Sequence, residues 1–234
     1  MIRKMIRKAG FIRFRNRLGS IPSGRSYDVI VVSYGGSGTT FLIDFLKRHT
    51  TINSPNSLED GIKHIISPQH PVLDGKIVNK AIYIYGDPID ATLSLFRRDF
   101  VKYMIPKINS RHHCDGASLI SYRDSNVRNI SYRDYLTNGE DELSFQEHWT
   151  NWNNEHVDFP ILFIKFDAIH DHVEDILKFL DLPLHLAKDF PPKKTRSSDL
   201  KKLPEDELVA LQRIYGALQE DMARQPDLRI KLRY

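Results

Sequence analysis

The residues best suited to chemistry lie in a glycine-rich turn near the start of the chain. An apolar, β-branched run at residues 29–32 leads into this turn, and an amphipathic segment at 39–47 follows it. A strand, a glycine-rich turn and a helix in this order direct backbone N–H groups and a helix N-terminus at one point, where an anion is held well. The residues of this candidate phosphate-binding loop are Gly35, Gly36, Ser37, Gly38, Thr39 and Thr40.

Two common phosphate-binding sequences do not fit this turn. A Walker A loop needs a lysine before its Ser/Thr, and Thr39 stands at that position. The dinucleotide pattern G-x-G-x-x-G cannot be placed on residues 36–41. The alternative interpretation is a plain turn between a strand and a helix, in which the glycines serve only the backbone geometry.

Several stretches, in this order and spacing, resemble the PAPS-dependent sulfotransferase family. Residues 37–40, Ser-Gly-Thr-Thr, are similar to the family's 5′-phosphosulfate loop, and residues 62–64 resemble the segment that carries its catalytic base. The family's strand, turn and helix for the 3′-phosphate are matched by Asp87, Pro88, Asp90 and Ser94. The W-x-x-W pair at Trp149 and Trp152 also fits, and the resemblance spans residues 27–224.

The resemblance implies both a fold and a reaction. The fold would be α/β with three layers, a parallel sheet flanked by helices in the P-loop NTPase-like architecture of sulfotransferases. The reaction would be in-line transfer of a sulfuryl group from 3′-phosphoadenosine 5′-phosphosulfate (PAPS) to a hydroxyl or amine, with His64 as general base. Glu59 is the alternative base. The acceptor would be a small molecule, a glycan or a lipid; neither a metal ion nor a nucleic-acid partner is expected.

The resemblance also assigns roles in donor binding. Backbone N–H groups of the loop would hold the 5′-phosphate, and Thr39 or Thr40 would donate to it. Ser94 would bind the 3′-phosphate, and a basic loop at 193–198 would close over the adenosine end.

Two positions depart from the family pattern, and each loses a cation. The Lys/Arg expected before Ser-Gly-Thr-Thr is Gly36, and the Arg expected to open the 3′-phosphate turn is Gly86. Losing one charge-assisted contact costs about 1.5–3 kcal/mol, so other cations must replace them, or the donor binds weakly or differs. The candidate replacements are Arg97, Arg98, Lys193, Lys194 and Arg196, with Lys63 a further one.

The hydrophobic pattern predicts the elements that position these residues. Strands are predicted at 29–32, 61–66, 80–85 and 161–166, and helices at 39–49, 89–103, 141–155, 173–180 and 204–224. Helical or crossover-length segments separate the strands, which predicts a parallel sheet. The polar stretch 109–138 is expected to form a lid or a substrate rim.

Composition is typical of a globular protein with one folded domain. The chain has 234 residues, of which 41% are hydrophobic and 27% charged. We expect a basic N-terminal arm and linker at 1–26 and a single sulfotransferase-like domain at 27–234. No apolar run reaches the length of a membrane-spanning helix, and the one cysteine, Cys114, suggests a reducing compartment.

The N-terminal arm concentrates positive charge. Residues 1–27 contain eight Lys/Arg and no acidic residue, so the rest of the chain is mildly acidic. The amphipathic pattern of residues 1–19 allows contact with an anionic membrane surface and is also similar to an organelle transit peptide; a solvated arm is the simplest interpretation. A cytoplasmic location is expected, with organelle targeting or peripheral membrane attachment as alternatives.

Two other functions fit parts of the pattern. A P-loop phosphotransferase is disfavoured by the missing Walker lysine and by the lack of a clear aspartate for Mg²⁺ at a strand end. A non-catalytic nucleotide- or anion-binding module would share the fold and would be degenerate at Gly36 and Gly86.

Overall fold

The structure, a computed structural model of the chain, describes residues 21–53, 59–99, 101, 130–193 and 203–232. The strands are β1 Ser26–Tyr27, β2 Ile30–Val32, β3 Ile77–Val78, β4 Ala81–Tyr85, β5 Ile161–Lys165 and β6 Leu228–Lys231. The α-helices are α1 Thr39–Leu46, α2 Pro88–Arg97, α3 Tyr132–Asn138, α4 Phe145–Asn154, α5 Val173–Phe179 and α6 Glu205–Arg224. Short 3-10 helices span Asp60–His64, Pro71–Leu73, Phe166–Ala168 and Leu184–Asp189.

The strands form two small sheets that are mostly parallel. The larger sheet has the order β2-β4-β5-β6, in which β2, β4 and β5 are parallel and β6 is antiparallel to β5. A second, two-stranded parallel sheet pairs β1 with β3. Because three parallel neighbours end at the same edge of the sheet, the segments that follow β2, β4 and β5 lie side by side.

Both faces of the larger sheet are buried, as expected for parallel strands covered by helices. On one face, the strands pack against buried side chains of α2, α4 and α6. On the other face, they pack against α1 and α5. The predicted α/β class, with helices on the two sides of a sheet, is therefore confirmed at this coarse level.

The predicted strand at 61–66 is wrong, because residues 60–64 form a 3-10 helix. Ile62 and Ile65 are both fully buried in the same hydrophobic cluster. Their spacing of three residues matches one turn of a 3-10 helix, whereas a strand brings every second residue to one face. The β-branched composition of this segment favours a strand, whereas the spacing of its apolar residues matches the 3-10 helix that forms.

The predicted strands β2, β4 and β5 are parallel, and the sheet gains one antiparallel strand at its edge that was not predicted. Strand β6 pairs antiparallel with β5, from Ile164 opposite Leu228 to Ile161 opposite Lys231. The alternation of apolar and basic residues at 228–231 is a strand pattern that the sequence analysis did not use. The basic side chains of β6 lie over one face of the sheet, where the Arg229 guanidinium is 3.9 Å from the centroid of the Phe163 ring.

The remaining predicted elements are present with shifted ends. Helix α1 ends at Leu46, and the described part of the helix predicted at 89–103 ends at Arg97. Most of the predicted lid lies outside the described residues, and its last part forms α3. The expected linker before residue 27 contributes Ile21 to the hydrophobic core.

Candidate functional site

The glycine-rich turn directly follows β2, as the sequence predicts. Gly35, Gly36 and Gly38 have φ angles of 110°, 72° and 68°, a region of backbone conformation that glycine adopts without a steric penalty. Gly38 is the N-cap of α1, and the helix begins at Thr39. Left-handed residues beside a helix start can turn successive N–H groups toward one point, the arrangement that holds anions.

The N-terminus of α1 has no side-chain cap within the described structure. Gly38 provides no side-chain cap, and the first turn contains no acidic residue. Thr40 is exposed at this turn, Thr39 is buried, and the buried Ser37 hydroxyl donates to the Gly35 carbonyl at 3.2 Å. The helix end and the exposed Thr40 hydroxyl are therefore the groups best placed to meet an anion.

Gly36 is required by close packing against α2. A Cβ atom at Gly36 would lie 3.0 Å from both Cα and Cβ of Ala91 and 3.1 Å from its carbonyl oxygen. Two of these atoms belong to helix backbone, so the neighbour cannot yield easily. The cation expected at this position would require α2 to shift by a few tenths of an ångström and a side chain to adopt a φ of 72°.

Gly38 is covered by an aromatic ring. A Cβ atom at Gly38 would lie 2.2 Å from Cε2 of Phe166, the residue that follows β5. Phe166 also meets Phe41 of α1 edge to face, with ring centroids 5.9 Å apart. The segment after β5 therefore forms one wall of the candidate loop.

His64 lies beside the first residue of the turn. The Ser33 backbone N–H donates to the Lys63 carbonyl at 2.9 Å, and His64 Nδ1 lies 3.1 Å from the Ser33 carbonyl oxygen. A carbonyl can only accept, so Nδ1 carries the proton and Nε2 has the lone pair when the ring is neutral. His64 is buried, at 3% exposure. It reaches this place from a 3-10 helix and not from the strand end that the sequence predicted.

The second predicted turn lies next to the first. The Tyr34 hydroxyl donates to the Gly86 carbonyl at 2.5 Å and accepts from the Gly86 N–H at 3.0 Å. Asp87 caps α2 by accepting from the backbone N–H groups of Ile89 and Asp90 at 2.7 and 3.1 Å. Unlike α1, helix α2 therefore has a carboxylate at its N-terminus.

Ser94 and its two arginines are placed differently. The Arg98 side chain folds back, and its Nε donates to the Ser94 carbonyl at 2.9 Å. Burial, and secondarily the charge of Arg97, lower the pKa of Arg98 from its usual value. Arg97 instead lines a cavity with Phe96, Tyr132 and Glu207. The structure thus brings Arg98 to Ser94 and leaves Arg97 facing elsewhere.

Lys193 reaches the carboxyl edge of the sheet. Its Nζ donates to the Asp167 carbonyl at 3.0 Å, one residue after the Phe166 ring that covers Gly38. The preceding residues are also anchored, because His170 Nε2 lies 3.0 Å from the Pro191 carbonyl and Phe190 packs against Phe45. Lys194 and Arg196 lie outside the described residues. Glu59, the alternative base, forms an ion pair with Arg25 at 2.9 Å.

A cavity of about 380 Å³ opens at the same edge, between the ends of β4 and β5 and helix α6. Its wall combines Gly86 and Phe166 with the following charged residues: Asp87, Asp167, Asp171, Asp227 and Lys165. Lys165 pairs with Asp227 at 3.1 Å. Burial raises the pKa of Tyr85, also in the wall, to about 12, so its hydroxyl remains a donor at neutral pH. Such a wall suits a neutral or cationic group better than a phosphate.

Three contacts of the site were missed by sequence reasoning. Tyr34 links the two turns, Phe166 covers Gly38, and the Gln219 amide donates to Asp87 at 2.5 Å. Gln219 follows the buried Leu218 on α6, so the helical spacing of apolar residues indicated that Gln219 would be partly buried. The Tyr34 and Phe166 contacts join segments far apart in the sequence and had no local signal.

Trp149 and Trp152 lie in the core. Both are at most 1% exposed, and their ring N–H groups donate to Asp221 and to the Ile65 carbonyl, respectively. They therefore pack the fold behind the candidate site. Within the described residues, no group of three or more His, Cys, Asp or Glu side chains is arranged to hold a metal ion, and none of the helices is both long and apolar enough to cross a membrane.

Comparison with known proteins gives no match. No protein-family model, curated protein or solved structure is similar enough to this chain to be matched with it.

Proposed function

We propose that the chain is a sulfotransferase of P-loop-like architecture that transfers a sulfuryl group from PAPS to a hydroxyl or amine. The observation that carries the proposal is the contact between His64 Nδ1 and the Ser33 carbonyl, at 3.1 Å. This contact supports the proposal because His64, the candidate general base, lies beside the turn whose backbone and helix end suit a phosphate.

The loop fits a 5′-phosphate through its backbone. The N-terminus of α1 has no side-chain cap from the described residues, and the exposed Thr40 adds a hydroxyl donor. Backbone N–H donors aimed at a leaving phosphate stabilise the charge that develops on it during transfer. When bound, PAPS would supply the sulfuryl group and the leaving 5′-phosphate.

His64 is suited to accept a proton from the acceptor. Its Nδ1–H is held by the Ser33 carbonyl, so Nε2 of the neutral ring is the basic atom. The burial of His64 and its hydrogen bond fix the ring orientation, which general-base catalysis requires.

The cations available to the nucleotide come from outside the loop. Lys193 reaches the Asp167 carbonyl at the edge of the site, and Arg98 lies against Ser94, the residue proposed to bind the 3′-phosphate. The Asp87 carboxylate at the start of α2 fits a phosphate poorly, so the 3′-phosphate would be held along the helix by Ser94 and Arg98.

Nucleotide binding is the first test of this proposal. We expect 3′-phosphoadenosine 5′-phosphate to raise the melting temperature of the protein, and ATP with Mg²⁺ to have no effect. Stabilisation by ATP with Mg²⁺ alone would instead favour a phosphotransferase.

The role of His64 is tested by turnover. A His64→Ala variant is expected to bind the bisphosphate normally and to lose about 10²–10⁴-fold in sulfate transfer to a hydroxyl or amine acceptor. His70→Ala is the matched control, because His70 is also buried and bonds within its own 3-10 turn. Equal turnover of the wild type and His64→Ala would contradict the assignment.

A non-catalytic nucleotide-binding module is the second candidate. The observation in its favour is the packing of Gly36 against Ala91, which excludes the loop cation that would stabilise the leaving phosphate. Wild-type protein that binds the bisphosphate but transfers no sulfate to any tested acceptor would favour this candidate.

A further inference from the structure

Tyr34 joins the two candidate phosphate turns through one hydroxyl group. It belongs to the turn after β2, and its hydroxyl both donates to and accepts from the backbone of Gly86, the residue after β4. The parallel ladder between these strands ends at the Val32–Tyr83 pair. Beyond that pair, the two chain segments are joined by the bonds of the Tyr34 hydroxyl to the Gly86 backbone and not by a further β-ladder.

The ring of Tyr34 is fixed in its place. Tyr34 has no exposed surface, and its ring centroid lies 4.5 Å from that of Phe145 and 6.4 Å from that of His148. A closely packed tyrosine ring has a fixed length from Cβ to its hydroxyl oxygen and cannot swing aside. The position of Gly86 is therefore set by the position of residue 34 itself.

We propose that Tyr34 is a positioning residue that fixes the spacing between the 5′-phosphate loop and helix α2, which starts just after Gly86 and carries Ser94, with Arg98 at its end. This inference rests on the proposed function. A ligand with a phosphate at each end gains affinity from binding the loop and helix α2 at once, and the gain depends on how well their spacing is held. A ligand with one phosphate uses only one of the two sites and gains nothing from the spacing.

The test compares three adenine nucleotides by calorimetry on the full chain. They are 3′-phosphoadenosine 5′-phosphate, adenosine 5′-monophosphate and adenosine 3′-monophosphate. In Tyr34→Phe, we expect the bisphosphate to bind about tenfold more weakly and each monophosphate to remain within about twofold of wild type. Selective loss for the bisphosphate is a result that general destabilisation would not produce.

Two further variants accompany Tyr34→Phe. Tyr215→Phe is the matched control, because it removes a buried hydroxyl that bonds to Asp141 and Tyr135, away from both turns; it should leave all three affinities unchanged. Phe145→Leu keeps the Tyr34 hydroxyl but loosens the packing around the Tyr34 ring. It should weaken binding of the bisphosphate selectively, by a smaller factor than Tyr34→Phe does.

The outcomes separate this inference from the function on which it rests. Selective weakening of the bisphosphate in Tyr34→Phe and Phe145→Leu supports a positioning role. Unchanged bisphosphate affinity in Tyr34→Phe, or equal weakening of all three nucleotides, overturns that role while the proposed function stands. Wild-type protein that binds none of the three nucleotides overturns the proposed function and this inference with it.

Discussion

At the residue scale, the space for a side chain at Gly36 and at Gly38 is limited by neighbours of different kinds. A side chain at Gly36 would meet the backbone of a helix, whereas one at Gly38 would meet the edge of the Phe166 ring. Helix backbone cannot move without disturbing many contacts, whereas the ring can be removed by substituting Phe166 alone. The resemblance to sulfotransferases led us to expect a cation at position 36, and the contact with Ala91 gives a physical reason for a glycine there.

Gly38→Ala should be strongly coupled to Phe166. Alone, it is expected to lower the free energy of unfolding by about 2–3 kcal/mol, because φ is positive and the new methyl would clash with the ring. In a Phe166→Leu background, the cost should fall to about 1 kcal/mol, the backbone part alone. Urea unfolding of the wild type, both single variants and the double variant measures the coupling, and additive effects would contradict the close contact.

Gly36→Lys should not restore the missing cation. We expect it to lower the free energy of unfolding by about 3 kcal/mol, since the side chain would start 3.0 Å from Ala91 at a positive φ. Gly216→Ala is the control: a Cβ there meets nothing within 4 Å, and a helical Gly→Ala change should stabilise by about 0.5–1 kcal/mol. A Gly36→Lys variant as stable as wild type would show that the loop can move away from α2.

At the scale of elements, α1 and α2 begin in opposite ways. Helix α1 begins at a glycine without a side-chain cap, and α2 begins at an aspartate whose carboxylate accepts two of its N–H groups. The sequence predicted both starts, because Gly38 and Asp87-Pro88 are visible signals. It failed for the 3-10 helix that carries His64, because three-residue spacing is hard to separate from a strand in a short apolar segment.

Asp28, in the segment leading into β2, should make the free energy of unfolding depend on pH. Asp28 accepts from the Thr51 N–H at 2.9 Å and the Thr50 hydroxyl at 3.0 Å, and the Thr51 bond lowers its pKa. A lowered folded-state pKa means that the carboxylate stabilises the fold above its ordinary range, near pH 4, and that this contribution is lost as pH falls through the lowered value.

We therefore expect Asp28→Asn to be less stable than wild type by about 0.5–1 kcal/mol at neutral pH, a modest loss because solvent screens this exposed group. The difference should be smaller in acid, below the lowered pKa of Asp28, than at neutral pH. Asp44→Asn, which removes an exposed ion pair with Lys47, is the control and should have little effect at either pH. A stability gap for Asp28→Asn that is the same at both pH values would contradict the assignment.

At the scale of the whole molecule, the larger sheet is completed by the last strand of the described chain. Residues in β2, β4 and β5 provide the apolar centre, and β6 covers the outer edge of β5 with basic side chains turned inward. Lys231 Nζ donates to the carbonyls of Asn153 and Glu155, which ties this strand to the end of α4. Inward charges on an edge strand also discourage pairing with a second sheet.

Removal of β6 should disturb the whole fold. A chain ending at residue 227 loses the ladder to β5 and the Arg229 contact with Phe163, and it exposes the edge of a strand that is apolar from Ile161 to Ile164. We expect a loss of at least about 3 kcal/mol in the free energy of unfolding, together with aggregation seen by light scattering. Removal of residues 233–234 alone is the control. A monomeric, cooperatively folded chain ending at 227 would show that β6 is dispensable.

The sequence predicted the fold better than the site. Strands β2, β4 and β5 and the helices on both faces follow from hydrophobic pattern, which is a local property. The link from Tyr34 to Gly86 and the cover of Gly38 by Phe166 depend on which strands become neighbours, and residue spacing does not carry that information. The loop and His64 were found as separate signals, and the backbone of Ser33 joins them.

The packing of Gly36 on Ala91 also limits how this protein can change. Ala91→Gly would remove only the Cβ contact and would leave the Cα and carbonyl oxygen of residue 91, at 3.0 and 3.1 Å from a Cβ at position 36. The change would also weaken the interior of α2 by about 0.5–1 kcal/mol. A side chain at position 36 therefore requires the loop and α2 to move apart, and an added positive charge near the loop is more accessible on the segment that begins at Lys193.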